Sequence, residues 1–355
     1  MNGTVRYGVI GGGHMGREHL RNIALIDGAE VAAVADPFEP SRSAAHRIAG
    51  PGAVAYRDYR DLLADEAIDA LVIATPNHTH ADVLEDAIAT GKAILVEKPL
   101  CTTVADCRRV EESARRGGSF VWVGMEYRYM PPVARLVEVV RSGRLGQLRM
   151  LHIREHRWPF LVKVGDWNRF ARNTGGTMVE KCCHFFDLMR VIVGDDPVRV
   201  YGSGAQDVNH LDERYGGETP DIIDNAFVIV DFAGGCRSLL DLCMFGEAAP
   251  AEQEIVATGD SGRAACSIPA SELTVGERAA GRSETTVIEV PPGLLAAGRH
   301  HGSTWYEHEA FLAALRAGTS PAVSLHDGLV AVAMGVAAER SIAERRPVDM
   351  AELDA

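Results

Sequence analysis

The sequence predicts an α/β chain of two domains: a parallel-sheet domain over residues 1–125, and an α+β domain over residues 126–355 with a large, open, mainly antiparallel sheet. Short apolar runs alternate with amphipathic helical patterns as far as Gly124, and a glycine-rich loop follows the first run. Beyond Gly124, strand-like runs follow one another closely through turns such as FAGGC and TGDSG. Alternating strands and helices imply βαβ units, whereas closely spaced strands imply hairpin neighbours.

The individual elements follow from these patterns. In the first domain, strands are predicted at 5–10, 30–35, 69–75, 93–97 and 120–124, and helices at 14–26, 40–49, 58–65, 79–91 and 103–117. In the second, a helix at 131–143 precedes strands at 149–158, 198–206, 224–232, 236–245, 252–259, 263–268 and 285–290, and helices at 303–317 and 326–346 end the chain. A broad sheet needs a covered face, so we expect a homodimer or a homotetramer.

Composition excludes several classes of protein. Of the 355 residues, 46% are hydrophobic and 24% are charged, which is typical of a soluble globular protein. A net charge of −13 argues against nucleic acid or an anionic membrane as the main partner. The sequence contains no apolar run of about 18 residues and no secretion signal, and its seven cysteines include no CxxC pair. We therefore expect a cytoplasmic protein with reduced thiols.

A dinucleotide-binding loop is predicted where the first strand ends. The pattern Gly11-x-Gly13-x-x-Gly16 separates that strand from a helix, and His14 and Met15 lie within the loop. The first glycine permits a tight turn, the second lets the backbone approach a pyrophosphate, and the third allows the helix to pack on the strand. The helix N-terminus offers free N–H groups to the phosphates. This arrangement predicts a Rossmann domain.

The choice of cofactor depends on Asp36, which ends the next strand. A carboxylate at this position accepts hydrogen bonds from an adenosine ribose and repels a 2′-phosphate. Pro37 and Phe38 follow it, and Arg42 is the nearest cation that could bind such a phosphate. The sequence therefore predicts NAD, with NADP the less favoured cofactor.

Polar side chains also follow two later strands of the same sheet. In doubly wound sheets, ligands bind beyond the carboxyl ends of the strands. Further cofactor-binding candidates at these ends are Thr75, Pro76, Asn77, His80, Glu97 and Lys98.

The stretch GGTMVEKCCHFFD, residues 175–187, carries a second group of functional side chains. On a continuous helix Glu180, His184 and Asp187 share one face. An acid–base centre is the favoured interpretation. A metal site, a redox pair at Cys182 and Cys183, and a buried structural histidine are weaker alternatives, and no metal is predicted.

In combination, GxGxxG, TPNHTH, EKP, a GG…H-x-x-D segment and the late YEHEAFLAALRAG resemble the Gfo/Idh/MocA family of nicotinamide-dependent oxidoreductases. The resemblance covers essentially the whole chain. It implies an NAD-binding Rossmann domain followed by a substrate-binding domain whose open sheet commonly forms the subunit interface.

The resemblance also implies a catalytic group, which by position becomes Lys98, Glu180 and His184. Glu180 stands where the family usually has aspartate, and Cys182 where glycine is common. The chemistry agrees with this assignment. A histidine with a near-neutral pKa suits a general base, and a lysine ammonium stabilises a developing alkoxide.

Substrate contacts are predicted from polar and aromatic residues outside these motifs. Such side chains suit a polyhydroxylated ring, so a sugar, a sugar derivative or an inositol is the expected substrate of a dehydrogenase acting on CH–OH groups. The candidates are Tyr127, Arg128, His156, Asp166, Trp167, Asn168, His301 and Tyr306.

Three other functions remain open from the sequence. One is a biosynthetic ketosugar reductase that uses NADPH, and another is a redox-neutral enzyme that retains NAD through a closed cycle. The third, a non-catalytic NAD sensor, is disfavoured because both Lys98 and His184 are present.

Overall fold

A computed structural model describes residues 3–353, which form two compact units. The first unit contains the chain up to Tyr129 and also Pro291–Val332, and the remaining residues form the second. The sequence prediction placed Pro291–Val332 with the second domain. The structure differs because a helix in this segment packs on first-unit elements near the N-terminus.

The first unit is built on a parallel sheet of six strands. The strands are β1 (Val5–Ile10), β2 (Ala29–Ala35), β3 (Val54–Tyr56), β4 (Ala70–Ile73), β5 (Ala93–Glu97) and β6 (Val121–Gly124). Their order is β3-β2-β1-β4-β5-β6, and every neighbouring pair is parallel, which confirms the predicted sheet. The short strand β3 escaped prediction because its three residues are exposed or half-buried and form no apolar run. The strand order reverses between β1 and β4, where such sheets bind ligands.

Helices connect these strands and continue into the second unit. They are α1 (His14–Ile23), α2 (Glu39–Ala49), α3 (Tyr59–Leu63), α4 (His80–Ile88), α5 (Val104–Gly117), α6 (Pro131–Arg141), α7 (Ala171–Thr174), α8 (Thr177–Glu180), α9 (Cys183–Val193), α10 (Pro292–Ala297), α11 (Ser303–Ala317) and α12 (Leu325–Glu344). Short 3₁₀ helices cover Asn77–Thr79, Glu126–Tyr129, Val164–Arg169 and Met350–Leu353.

The second unit is built on a nine-stranded sheet. Its strands are β7 (Leu148–His156), β8 (Pro197–Ala205), β9 (Asn225–Phe232), β10 (Arg237–Cys243), β11 (Gln253–Gly259), β12 (Gly262–Ile268), β13 (Glu272–Glu277), β14 (Arg282–Val287) and β15 (Val348–Asp349). The order is β14-β13-β12-β11-β7-β10-β9-β8-β15, and among the described strands of this sheet only the β7–β10 pair is parallel. The predicted large, mainly antiparallel sheet is thus confirmed.

Two details of this sheet differ from the prediction. Strand β13 was not predicted, and β14 lies three residues before the predicted 285–290. These strands form a hairpin at the sheet edge, and all of β14 is exposed. An edge strand without a buried face carries no alternating apolar pattern, so the sequence gives little signal for its register.

One face of the nine-stranded sheet buries its side chains and the other exposes several apolar ones. Along β9, residues alternate between buried and exposed positions. Phe227 is 59% exposed, and Ile229 on the same face pairs across the ladder with the exposed Tyr201 of β8. Exposed apolar clusters of this kind are typical of interaction surfaces. Within residues 3–353, no helix is both long and apolar enough to cross a membrane.

The close approach of α1 to the glycine-rich loop generates a first prediction. A Cβ atom at Gly16 would collide with the backbone carbonyl oxygen of Gly11. We expect Gly16→Ala to lower the free energy of unfolding by about 1–3 kcal/mol, measured by urea denaturation. The control is Gly13→Ala, because a Cβ at Gly13 meets nothing within 4 Å. The free energy of unfolding of Gly13→Ala should fall by less than about 1 kcal/mol. Equal losses of unfolding free energy in the two variants would contradict the steric argument.

Candidate active site

The loop after β1 has the geometry of a phosphate-binding turn. Gly11 has a φ of 100°, which favours glycine, and its Cα lies against the backbone of Ala74 after β4. Gly13 is the N-cap of α1 and supplies no side-chain cap, and a Cβ atom at this position would meet nothing within 4 Å. These features fit the pyrophosphate of a dinucleotide. His14 is exposed and Met15 half-buried in the first turn.

Asp36 lies directly beside this loop. Its carboxylate accepts hydrogen bonds from the backbone N–H of Gly12 at 2.7 Å and of Phe38 at 2.8 Å. Arg42 does not contact the carboxylate; its guanidinium donates to the carbonyl oxygen of Asp36 at 2.7 Å. The acid predicted to bind ribose is therefore held at the edge of the loop by backbone groups.

The end of β4 turns sharply into α4 through a short 3₁₀ helix. Thr75 and Pro76 are half-buried, and the hydroxyl of Thr79 donates to the hydroxyl of Thr75 at 2.8 Å. Asn77 is 7% exposed. Predicted cofactor residues thus lie together at the carboxyl end of β4.

His80 links this turn to the end of β5. Its ring nitrogens lie 2.8 Å from the carbonyl oxygen of Pro99 and 3.0 Å from that of Thr75. Burial lowers the pKa of the ring, and the two carbonyl groups partly offset this effect. His80 was predicted to bind the cofactor, but both nitrogens bind backbone. It fixes the backbone next to Lys98, which is half-buried at the strand end.

Glu97, the last residue of β5, is held by a histidine from α1. Its Oε1 lies 2.8 Å from Nε2 of His19, and Nδ1 of His19 lies 2.9 Å from Nε2 of His308. All three side chains are buried. Burial acts to raise the pKa of Glu97, but the hydrogen bond and charge of His19 lower it overall. Glu97 therefore holds the end of β5 to α1, in addition to its predicted role as a cofactor contact.

Further buried acids surround this pair, and the sequence analysis missed them. Burial, assisted by the charge of Glu97, raises the pKa of Glu126 to about 7. Glu18 accepts a hydrogen bond from Nδ1 of His300 at 2.7 Å. Burial opposes ionisation of Glu18, but the charge of His300 lowers its pKa to about 2. Glu307 accepts from the indole N–H of Trp122 at 3.2 Å.

The second unit carries the other predicted catalytic residues, but on two helices instead of one. Helix α8 ends at Glu180 and α9 begins at Cys183, so the predicted continuous helix is wrong. The N–H of Cys182 donates to the carbonyl of Thr177 at 3.2 Å, one residue beyond the usual helical partner, which widens the turn. Glu180, His184 and Asp187 are nevertheless all buried.

The widened turn is held by a buried ion pair. Nζ of Lys181 lies 2.8 Å from Oε1 of Glu155 on β7, and the side chains are 6% and 0% exposed. Burial lowers the pKa of Lys181, and the charge of Glu155 partly offsets this. Cys182 and Cys183 are buried thiols that form no disulfide, and burial raises the pKa of Cys182 well above its usual range. These two cysteines therefore act as packing residues.

Several predicted substrate residues have protein partners. Arg128 lies 3.5 Å from Asp327 and donates to the carbonyl of Ala322. In the second unit, Nε2 of His156 lies 2.9 Å from Asp241. Neighbouring side chains of a strand point to opposite faces of the sheet. His156 therefore lies on the face of β7 opposite Glu155, the partner of Lys181.

The remaining substrate candidates divide between the two units. Asn168 is fully buried and donates to the carbonyl of Leu161 at 3.0 Å, so it shapes its own loop. Asp166 and Trp167 are half-buried in the same loop, and Asp166 has a φ of 52°. In the first unit, Tyr127 is buried, whereas His301 and Tyr306 are half-buried at the start of α11. In the described part of the chain, residues 3–353, no group of three or more His, Cys, Asp or Glu side chains is arranged so that it could hold a metal ion.

Comparison with known proteins identifies the family. The family model described as "Oxidoreductase family, NAD-binding Rossmann fold" matches residues 5–125. Its companion, "Oxidoreductase family, C-terminal alpha/beta domain", matches residues 137–350. The chain therefore belongs to the Gfo/Idh/MocA oxidoreductase family. The predictions of an oxidoreductase and of a nicotinamide cofactor are confirmed.

Individual relatives match over nearly their whole length. Inositol 2-dehydrogenase of Rhizobium meliloti is 30% identical over 98% of this chain and 100% of that protein. Myo-inositol 2-dehydrogenase of Thermotoga maritima is 28% identical over 98% of this chain and 99% of that protein. The crystal structure of an oxidoreductase domain protein from Kribbella flavida has a TM-score of 0.87 at 21% identity, covering 98% of this chain and 99% of that one. This last similarity concerns the fold.

The buried ion pair under the α8–α9 turn generates a second prediction. Lys181→Met leaves the Glu155 carboxylate without its main buried partner, and we expect a loss of about 3–5 kcal/mol in unfolding free energy. Lys181→Met combined with Glu155→Met removes both charges and should recover most of that loss. An exposed pair serves as control, since Arg115→Met, which breaks the contact with Glu112, should cost about 1 kcal/mol or less. Similar losses in the two single variants would contradict a structural role for the buried pair.

Proposed function

We propose that this member of the Gfo/Idh/MocA family is an NAD-dependent dehydrogenase that oxidises a secondary alcohol of a sugar, a sugar derivative or an inositol. The observation that carries the proposal is Lys98, which follows the anchored Glu97 at the carboxyl end of β5, in the unit that holds the glycine-rich loop. The inositol dehydrogenase names of two relatives that match nearly the whole chain support the substrate class.

The residues of the first unit fit NAD. The N-terminus of α1 and Gly13 would hold the pyrophosphate, because helix N-termini favour anions and there is open space beside the Gly13 backbone. Asp36 would accept hydrogen bonds from the adenosine ribose through the lone pairs that Gly12 and Phe38 leave open. Since Arg42 binds backbone carbonyls, it does not offset the repulsion between Asp36 and a 2′-phosphate. When bound, the nicotinamide supplies the hydride acceptor.

The proposed chemistry assigns one role to each catalytic side chain. His184 accepts the hydroxyl proton as general base, and Glu180 orients its ring. Lys98, as an ammonium, stabilises the negative charge that develops on the alcohol oxygen. Arg128, His156 and Asn168 bind protein groups, which leaves Asp166, His301 and Tyr306 as the stronger substrate candidates.

We further propose that the exposed apolar face of the nine-stranded sheet packs on a second copy of the chain, giving a homodimer or a homotetramer. Met150, Tyr201, Phe227 and Ile229 on this face are each more than a third exposed in the single chain. Burial of such a face against a second copy removes it from water.

The proposed role of Lys98 is tested by turnover on a panel of inositols, hexoses and glycosides with NAD, followed by the absorbance of reduced nicotinamide. Lys98→Ala should lower kcat by about 100-fold or more, because a preorganised charge at the reacting oxygen is lost. Lys92→Ala is the matched control, since Lys92 precedes the opposite end of the same strand and binds carbonyl oxygens there. Unchanged turnover in Lys98→Ala would overturn the proposed mechanism.

The proposed cofactor preference is tested at Asp36. Asp36→Ser removes a charged acceptor for ribose, so NAD affinity should fall by about 10- to 100-fold. NADP affinity should rise in the same variant, because the repulsion of a 2′-phosphate is lost. Titration of both cofactors by fluorescence quenching checks this outcome. A wild-type protein that binds NADP more tightly than NAD would instead favour the NADPH-dependent reductase.

A further inference from the structure

The first unit buries more ionisable groups than hydride transfer requires. We name as the acid–imidazole cluster four carboxyl groups, Glu18, Glu97, Glu126 and Glu307, together with three imidazoles, His19, His300 and His308. Six of these seven residues are buried, and the His300 side chain is 22% exposed. The cluster lies at the ends of β5 and β6, where Glu97 pairs in register with Gly124, two residues before Glu126.

One arm of the cluster links Glu97 to His308 through His19. Nε2 of His19 lies 2.8 Å from Oε1 of Glu97, and its Nδ1 lies 2.9 Å from Nε2 of His308. Burial, with the neighbouring His19, lowers the pKa of His308 well below its usual value. This arm therefore holds a neutral His308 and an ionised Glu97.

The other arm contains a carboxyl group that titrates at physiological pH. Burial raises the pKa of Glu126 to about 7, and the charge of Glu97 adds to the effect. The charges of His300 and Lys98 act in the opposite direction. Nε2 of His300 lies 3.9 Å from Oε1 of Glu126, and its partly exposed ring connects this carboxyl with the surface.

The other three carboxyl groups of the cluster do not share this property. Glu97 is kept ionised by His19, and Glu18, with a pKa of about 2, is kept ionised by His300. Burial and the charges of its acidic neighbours raise the pKa of Glu307 well above its usual value, so it stays protonated. Within the acid–imidazole cluster, Glu126 is therefore the carboxyl group poised to exchange a proton near neutral pH.

We propose that Glu126 is the proton-exchange group of the cofactor site and that His300 connects it with solvent, an inference that rests on the proposed function. A positive charge near a buried carboxyl group favours its ionised form. A positively charged nicotinamide bound at this sheet edge would therefore favour release of the Glu126 proton, and loss of that charge would favour its return.

The step balances over one turnover. Oxidation of the carbinol breaks its C–H and O–H bonds and forms a C=O bond, and a bound nicotinamide would accept the hydride with its electron pair. The hydroxyl proton is released to His184 and thence to solvent, while Glu126 takes up one proton through His300. The positive charge lost at the nicotinamide is thus replaced by neutralisation of a nearby carboxylate. When oxidised cofactor binds again, Glu126 returns that proton to water through His300.

Isothermal titration calorimetry in buffers of different ionisation enthalpy tests the proposal without a substrate. Near pH 7, NAD⁺ binding should release a fraction of a proton from the wild type, since a pKa raised to about 7 leaves part of Glu126 protonated. NADH binding should release none. E126Q should abolish the release while still binding NAD⁺. E307Q is the matched control and should retain the release, because its amide replaces an already neutral acid of the same cluster.

The pH dependence of affinity gives a second readout. If NAD⁺ lowers the pKa of Glu126 by one unit, its Kd should fall about tenfold between acidic and alkaline limits around pH 7, and E126Q should flatten this profile. H300N should retain the proton release but shift it to higher pH, because the positive charge that lowers the pKa of Glu126 is lost. This shift remains measurable if E126Q fails to fold.

Several outcomes would overturn the inference. NAD⁺ binding whose heat does not depend on the buffer would exclude linked proton release. A release that persists in E126Q but vanishes in H300N would assign the proton to His300. An absence of any NAD⁺ binding would instead overturn the proposed function itself, and the two failures are distinguished because only the first leaves a binding isotherm.

Discussion

The contact between Glu97 and His19 is the interaction on which the first unit depends. It joins α1, whose N-terminus forms the glycine-rich loop, to the end of β5, whose next residue is Lys98. The two side chains are 4% and 0% exposed and lie 2.8 Å apart. Loss of either partner leaves a buried polar group unsatisfied, which costs about 1–3 kcal/mol or more when that group is charged. The loop and the lysine therefore share one buried support.

This support is completed by residues from late in the chain. His308 extends the hydrogen-bonded chain from His19, and the Trp122 indole donates to Glu307, both of α11. The same helix binds the N-terminal region again, where Arg316 donates to the carbonyl of Gly28 at 3.0 Å. An isolated N-terminal segment would therefore leave several buried donors and acceptors without partners, which native structures avoid. The unit that surrounds the loop therefore needs α11 as well as the N-terminal segment.

The elements that the sequence predicted well are those with local signals. Strands β1, β2, β4, β5 and β6 are apolar runs buried on both faces, and the Gly11–Gly16 loop with Asp36 follows from spacing alone. The break between α8 and α9 was missed because Lys181 and Cys182 both have helical dihedral angles, and a nonlocal ion pair to Glu155 accompanies the widened turn.

The acid–imidazole cluster was missed for a similar reason. Its contacts join residues 78, 185 and 289 positions apart, which no periodicity reveals.

Lys98 and Lys181 belong to the two predicted catalytic segments, and their different burial indicates different roles, one in the reaction and one in the structure. Lys181 is 5% exposed, and its main partner Glu155 is fully buried, so the pair gains from staying charged and in place. Lys98 is half-buried, and the acids that sense its charge differ: Glu97 is ionised, whereas Glu126 titrates near neutral pH. Because protonation of Glu126 changes the charge around Lys98, the electrostatic environment of that ammonium can follow the charge of a bound ligand. Lys181, in its buried ion pair, therefore holds a turn. Lys98 is suited to stabilising charge that appears and disappears during a reaction.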